Sequence, residues 1–338
     1  MYPTMEQMRR GDGYEIGRGL QESKDLRAVM GELLLELDSY PERVTTDPQS
    51  VGSNFGEGRS PYKQTTTGFE LDDPLECVLD LPGRPVNEAY MYANIIWTFT
   101  GSDDASMIGF YNPRAAKFAN DDGVVECAWG PKLFRDGEGF AGQVGHVVNV
   151  LRRDPDSRRG AIDLISMEEL VEDRVDISCA MGTQYRLRTT ESGTRHLDTI
   201  TIMRSQSVIG IMPYDIPLMV SLQSMIAAEL EAELGTYIHY AFSMHMYTDE
   251  YDRLKASGWP ERPAVVRTLP PAPTYQAMRP LFGLESAVRQ AALAGEVPSR
   301  AVPESVIYID DESEPLFCRR ALQAVLRYAD TRLNENSQ

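Results

Sequence analysis

Asp176-Ile177-Ser178-Cys179-Ala180-Met181-Gly182-Thr183-Gln184-Tyr185-Arg186-Leu187-Arg188 is the stretch on which the reading of this chain turns. Tyr185 and Leu187 alternate with Gln184, Arg186 and Arg188, the period of a strand with one face on a core. Ile200 and Ile202 alternate in the same way with Thr199 and Thr201, and the intervening Ser192-Gly193 predicts two antiparallel strands joined by a turn. Cys179 stands directly before the first strand, where a side chain can face a pocket. Downstream come Met203-Arg204-Ser205, Pro213-Tyr214-Asp215 and His245-Met246-Tyr247. A thiol that can act as a nucleophile, an Arg-Ser pair suited to an anion, a carboxylate and a His/Tyr pair thus follow one another, which outlines a nucleotide-modifying site. Alone, such a cysteine reads first as a small buried hydrophobe; its neighbours change that reading.

The rest of the chain bounds that reading. At 338 residues it can form one large domain or two, and 42% hydrophobic content suffices for a core. A net charge of −18 argues against a nucleic-acid partner, because affinity for a polyanion rests on a broad basic surface. One phosphate can still be held by locally gathered arginines. Cysteines at 77, 127, 179 and 318 have neither metal-ligand spacing nor the density of a disulfide framework. No metal site is expected, and a reducing, cytoplasmic location fits. No run approaches the ~18 apolar residues of a membrane span, and the N-terminus, with Glu6, Arg9 and Arg10, lacks secretory character.

Residues 1–22, polar and Gly-rich, read as a flexible arm. Ser23 can cap a helix carrying Leu26, Val29, Leu33, Leu34 and Leu37 on one face. Val51–Thr67 reads as a loop. Helices are predicted over Glu88–Phe99, with Gly101 beyond it, and from about Gly142 to Arg153, stopped by Pro155. The strongest helix pattern runs from Pro217 to Leu234, closed by Gly235. Thr268–Pro273 marks a boundary, followed by helices over Leu284–Leu293 and Leu316–Leu333 and an extended Val306–Ile309 between them. No internal repeat is present.

Five motifs, in order and at matching spacing, carry a resemblance to the thymidylate synthase family. They are Asp154-Pro155-Asp156-Ser157-Arg158-Arg159, the Cys179 segment, Met203-Arg204-Ser205 with Pro213-Tyr214-Asp215, Glu233-Leu234-Gly235-Thr236-Tyr237-Ile238-His239, and His245-Met246-Tyr247. The likeness is continuous over about residues 150–255 and weaker over 23–149. It implies that Cys179 attacks C6 of a pyrimidine nucleoside monophosphate, activating C5 toward the one-carbon unit of 5,10-methylenetetrahydrofolate. A free thiol with a pKa of about 8.5 is mostly protonated at neutral pH, so the neighbouring cation implied by the family, Arg204, matters. The resemblance further implies that Arg204 and Ser205 bind the phosphate and that Arg158 and Arg159 complete the clamp in a partner subunit's site, making the chain a homodimer. It assigns His245 and Tyr247 to the sugar hydroxyl. Histidines 146, 196 and 239 receive no role.

Asp215 discriminates within the family. Uracil-using synthases generally place Asn here, since an amide donates to O4 and accepts from the N3 proton. Cytosine reverses that edge, and a carboxyl that is protonated or shares a proton with N3 suits it. Asp is the mark of the cytidylate hydroxymethylase branch, in which water attacks where a synthase delivers hydride. The alternative is that Asp215 caps a helix opening at Pro217.

Departures from the family accompany the matches, and the loss of two proton-handling groups at Asn94 and Trp129 is what keeps a silent protein open as an alternative. Ala93-Asn94-Ile95-Ile96-Trp97 stands where the family has a general-acid/base Glu, so Asn94 holds a water or Glu88 intrudes. Trp129-Gly130 replaces Tyr-Gly, and Ser207 replaces an Asp. With Lys132, some of them resemble the CMP hydroxymethylases of nucleoside-antibiotic biosynthesis. Lys132 either contacts a 2′-hydroxyl or is a surface lysine. Glu57-Gly58-Arg59-Ser60 is the candidate amino-terminal phosphate loop, with Arg59 as ligand. The expected fold is α/β (α+β), thymidylate-synthase-like, a mixed and mostly antiparallel sheet flanked by helices. A catalytic domain spans 23–265 and a helical extension 266–338. The expected product is 5-hydroxymethyl-CMP; the alternatives are the dCMP reaction, methylation as in a synthase, and a silent nucleotide-binding protein.

Overall fold

The structure is a computed structural model that describes residues 20–21, 24–39, 43–44, 62–134, 142–171, 176–303 and 315–336. In chain order come α1 (Leu26–Ser39), β1 (Arg43–Val44), β2 (Tyr62–Leu71), β3 (Glu76–Asp80), α2 (Glu88–Phe99), α3 (Ala105–Tyr111), α4 (Trp129–Phe134) and α5 (Gly142–Arg153). Then follow β4 (Ala161–Asp163), α6 (Met167–Val171), β5 (Ala180–Thr189), β6 (Arg195–Met203), β7 (Gln206–Ser207) and α7 (Met212–Glu229). The last elements are β8 (Glu233–Tyr247), α8 (Thr248–Ala256), β9 (Val265–Thr268), α9 (Tyr275–Leu293) and α10 (Leu316–Asn336).

The principal sheet runs β1-β2-β8-β6-β5-β4, with β7 beside β8. Only the pairings of β8 with β6 and with β7 are parallel among the described strands. This is the mixed, mostly antiparallel sheet that the alternating runs predict, and β5 and β6 are the expected hairpin, turning at Gly193 with φ of +87°. A separate ribbon pairs β3 with β9. Helix α7 packs against β3, β6 and β8, and α1 against β2 and β3. The predicted stripe of α1 is buried in full. Its first turn is capped by Asp25, whose Oδ1 accepts from the backbone N–H of Arg27 and Ala28; Ser23 lies outside the described residues. So does the arm but for Leu20 and Gln21, which dock on β2, where Gln21 N donates to Gly68 O at 2.7 Å.

On β6 the alternation holds with an unexpected sense. Thr199 and Thr201 face the covered side, while Ile202 is exposed. On β8, Tyr237, His239 and Ala241 point inward and Phe242 outward. One face of the sheet therefore packs under helices, and the other presents Met181, Ile202 and Phe242.

Three boundaries correct the sequence expectation. The stretch 62–67 is strand rather than loop, because Thr65 and Thr67, β-branched and buried, pair with β8; residues 51–61 lie outside the described part. Helix α7 opens at Met212 and carries Pro217 inside it, with Pro213 in the first turn, where a missing N–H costs nothing. It ends at Glu229, so Leu234 and Gly235 belong to β8. Helix α9 starts at Tyr275, capped by Thr274, well before Leu284; residues 306–309 lie outside the described part.

Gly235 is therefore a close-approach residue, not a helix cap. A Cβ there would meet Asp198 Oδ1 at 2.1 Å and the Leu197 backbone at 3.0 Å. Gly235→Ala is expected to wedge β8 from β6 and cost about 1–3 kcal/mol, read as a lower urea midpoint. An unchanged midpoint would contradict this packing.

Candidate active site

Because β5 is antiparallel to β6 and β6 parallel to β8, the start of β5, the end of β6 and the second half of β8 share one end of the sheet. Backbone bonds join them: Arg204 N donates to Cys179 O at 2.8 Å, and Ser243 N to Arg204 O at 3.2 Å. The Arg204 side chain reaches back along the cysteine segment. Its Nε donates to Ser178 O and its Nη2 to Ile177 O, each at 2.8 Å. Cys179 is half-buried. Burial pushes its thiol up to about 12; the Arg204 guanidinium pulls it down, and Asp176 and Asp215 push it up. The neighbouring cation is in place, yet desolvation outweighs it.

Trp129, at the head of α4, donates from Nε1 to Ser178 Oγ at 3.0 Å, and Ser178 Oγ donates to Ala180 O at 2.8 Å. The indole is thus held beside the cysteine segment. Asn94 is half-buried on α2, and its side chain forms no hydrogen bond among the described residues. One turn earlier, Tyr90 meets Tyr214 edge-on at 4.9 Å between centroids. Burial, then the Asp215 charge, raises the Tyr90 hydroxyl. Glu88 does not intrude, since its carboxylate is held by Arg267 and Arg327.

Asp215 sits in the first turn of α7, 8% exposed, and its Oδ2 accepts from Gln206 Nε2 at 3.0 Å. Burial raises the carboxyl to about 7, and the Gln206 hydrogen bond opposes that rise. The helix opens ahead of Asp215, so the residue does not cap it at Pro217. Ser205, half-buried, leads into β7, which pairs with Met244 and His245 of β8. His245 Nδ1 lies 3.0 Å from Ser243 O, and its ring packs on Tyr62 and Tyr247 at 5.3 and 5.4 Å.

Other sequence candidates lie apart from this group. Arg158 and Arg159 are exposed on the turn between α5 and β4. Tyr185 N bonds Gly160 O beside them, which places the turn roughly 20 Å along the strand from Cys179 at about 3.4 Å per residue. With Arg153, Asp154 and Asp156 they line an open hollow of about 610 Å³. Lys132 is not a free surface lysine, since its Nζ donates to Leu164 O at 2.7 Å and to the buried Glu169 at 2.6 Å. Arg59 lies outside the described residues. None of the four cysteines is in a disulfide, and no His/Cys/Asp/Glu group among the described residues is arranged for a metal. No helix among them is long and apolar enough to cross a membrane.

The model of the family described as thymidylate synthase matches residues 83–263, more than half of the chain. The chain belongs to the thymidylate synthase family. It is 24% identical over 175 residues to a thymidylate synthase of Lactococcus lactis subsp. cremoris, covering 46% of this chain and 63% of that one. It is 23% identical over 194 residues to the deoxyuridylate hydroxymethyltransferase of Bacillus phage SP01, covering 54% and 49%. The chain thus spans less than two thirds of the length of these curated relatives. Among solved structures, the thermostable thymidylate synthase A of Bacillus subtilis superposes with a TM-score of 0.54 at 20% identity, covering 68% of this chain and 83% of that one. The thymidylate synthase fold is therefore shown.

Within this thymidylate synthase fold, sequence reasoning passed over Gln206, His239 and Tyr90. The signal for His239 was the alternation of β8, which puts it on the buried face with Tyr237 and Ala241. Gln206 carried no local signal beyond following Arg204-Ser205.

Proposed function

We propose that this chain transfers a one-carbon unit from 5,10-methylenetetrahydrofolate to C5 of CMP and finishes with water, giving 5-hydroxymethyl-CMP. Asp215 carries the reading. Its buried carboxyl, raised to about 7, keeps a proton available near neutral pH to share with N3 of cytosine while its other oxygen accepts from the exocyclic amine. A hydroxymethyl product is supported by the phage relative named a deoxyuridylate hydroxymethyltransferase.

Cys179 adds as a thiolate to C6, which moves the electron pair to C5 and makes that carbon nucleophilic; its later departure restores the C5–C6 double bond. Arg204 and Ser205 hold the phosphate, and His245 and Tyr247 the sugar. Protonation of Asp215 removes a negative charge that opposes the thiolate, so base recognition and nucleophile activation assist each other. Trp129 and Asn94 fit a flat, polar one-carbon carrier: the indole offers a face for stacking beside Cys179, and the Asn94 amide has free donors and acceptors. When bound, the folate supplies carbon at the oxidation level of formaldehyde. Ser207, which stands where the family has Asp, accepts at its Oγ from Gly210 N at 3.1 Å.

The assembly is a cytoplasmic homodimer. The distance of Arg158 and Arg159 from their own Cys179 and the apolar outer face of Met181, Ile202 and Phe242 both suit a second copy.

Mass spectrometry of CMP, dCMP and dUMP after incubation with the protein and methylenetetrahydrofolate tests this reading. A gain of one formaldehyde equivalent on CMP is expected. The same gain on dCMP would move the assignment to the deoxynucleotide, and modified dUMP, the substrate in the name of the phage relative, would overturn the cytosine assignment.

A further inference from the structure

Asp215 is the end of a buried chain of hydrogen bonds that the proposed reaction does not require by itself. Tyr237 Oη lies 3.0 Å from His239 Nδ1, His239 Nε2 lies 3.1 Å from Gln206 Oε1, and Gln206 Nε2 donates to Asp215 Oδ2 at 3.0 Å. Tyr237 and His239 are completely buried, and Gln206 is 1% exposed. The imidazole stacks on Phe69 at 5.3 Å between centroids with an interplanar angle of 19°, so its plane is fixed. Burial holds it neutral, with a pKa lowered to about 3. A neutral imidazole carries one N–H. With that proton on Nε2, the ring donates to Gln206 Oε1 and accepts the Tyr237 hydroxyl proton at Nδ1.

We infer that Gln206, held by His239 and Tyr237, is a positioning residue that fixes which oxygen of Asp215 carries the proton and so sets the preference for cytosine over uracil. This rests on the reading of Asp215 as the group that meets the base. An amide donating to Oδ2 favours that oxygen as the carbonyl end of the carboxyl and leaves the proton on Oδ1. Oδ2 has a second lone pair for the exocyclic amine of cytosine, and Oδ1–H faces N3. Uracil presents an acceptor at position 4 and a donor at N3, so both contacts are mismatched. Turning the Gln206 amide over would oppose Oε1 to Oδ2 and bring an N–H against the N–H of His239. The buried ring opposes that inversion because it would lose its acceptor.

The charged and titratable groups around Asp215 are few. Cys179 and Tyr90 interact with it electrostatically, as does Tyr237 from β8. Gln206 is the hydrogen bond that lowers its pKa, so removing that donor raises it.

The test is the ratio of the dissociation constants of UMP and CMP as a function of pH, measured by calorimetry on wild type, Gln206→Met and Tyr237→Phe, with Asp215→Asn alongside. The phosphate titration, near pH 6 for both ligands, cancels in the ratio. In the wild type the preference for CMP falls as pH rises through about 7, where Asp215 loses its proton. Gln206→Met is expected to lower the CMP preference about tenfold at neutral pH and to move its fall to higher pH. Tyr237→Phe, which deletes one hydroxyl and keeps the ring, is expected to weaken the preference in the same direction by a smaller factor. If Asp215→Asn changes the ratio while both other variants keep the wild-type ratio and pH profile, the inference about Gln206 is overturned and the reading of Asp215 stands. If Asp215→Asn leaves the ratio unchanged, the base-reading role fails and the inference goes with it. Should Gln206→Met unfold, Tyr237→Phe decides alone.

Discussion

Cys179→Ala is expected to lower kcat by about four orders of magnitude or more while leaving nucleotide affinity within a few-fold of wild type. The substitution removes the atom proposed to bond C6 and leaves the proposed binding groups in place. Arg204 is oriented by the carbonyls of Ile177 and Ser178, not by the sulfur, so the proposed phosphate contact survives. The loss falls on the covalent step alone. Turnover near wild type would remove Cys179 as the nucleophile, and a parallel loss of binding would show that the pocket had been disturbed rather than the chemistry.

Asp215→Asn is expected to reverse the base preference, changing the cytosine-to-uracil ratio of kcat/KM by about 10² or more, because each mismatched nucleotide would bury donors and acceptors without partners. The substitution also removes a titrating group. Wild-type activity on a cytosine nucleotide should decline as pH rises through about 7, because the useful form of Asp215 is the protonated one. The variant should lack that alkaline limb. The same raised pKa affects stability: the folded state binds the Asp215 proton more tightly than the unfolded chain, so this group's contribution becomes less favourable as pH rises from about 4 to about 7. An unchanged preference in Asp215→Asn would sink the base-reading assignment.

Local patterns carried much of this protein into view. The helices from Glu88 and Gly142 stand at the bounds that their apolar stripes, Gly101 and Pro155 predict, and the two alternating runs are the hairpin β5–β6. Around α7 the local signal failed. Pro217 looks like a helix start and Gly235 like a stop, but Pro213 fills the first-turn position and Gly235 is demanded by the approach of β6 and β8, a tertiary fact. The sense of β6 was hidden likewise. Isoleucine outranks threonine for a core, yet the open face of the sheet takes Ile202 and the covered face Thr199 and Thr201.

Proximity at the site followed the same division. Cys179, Arg204 and Asp215 were legible as motifs, and the topology brings their segments to one end of the sheet. Gln206 and His239 were not, because their roles exist only through contacts between β7, β8 and α7. The engagement of Lys132 with Glu169, far along the chain, was equally invisible to local reading.

The most direct test of the account is intact-protein and peptide mass spectrometry after incubation with methylenetetrahydrofolate and a 5-fluorinated cytosine nucleotide, in which fluorine blocks loss of the C5 substituent and stalls the adduct. A stable adduct with the combined mass of the nucleotide and methylenetetrahydrofolate is expected on the peptide containing Cys179, and none in Cys179→Ala. Absence of an adduct with the cytosine nucleotide while the corresponding uracil nucleotide forms one, or attachment at any other residue, would contradict it.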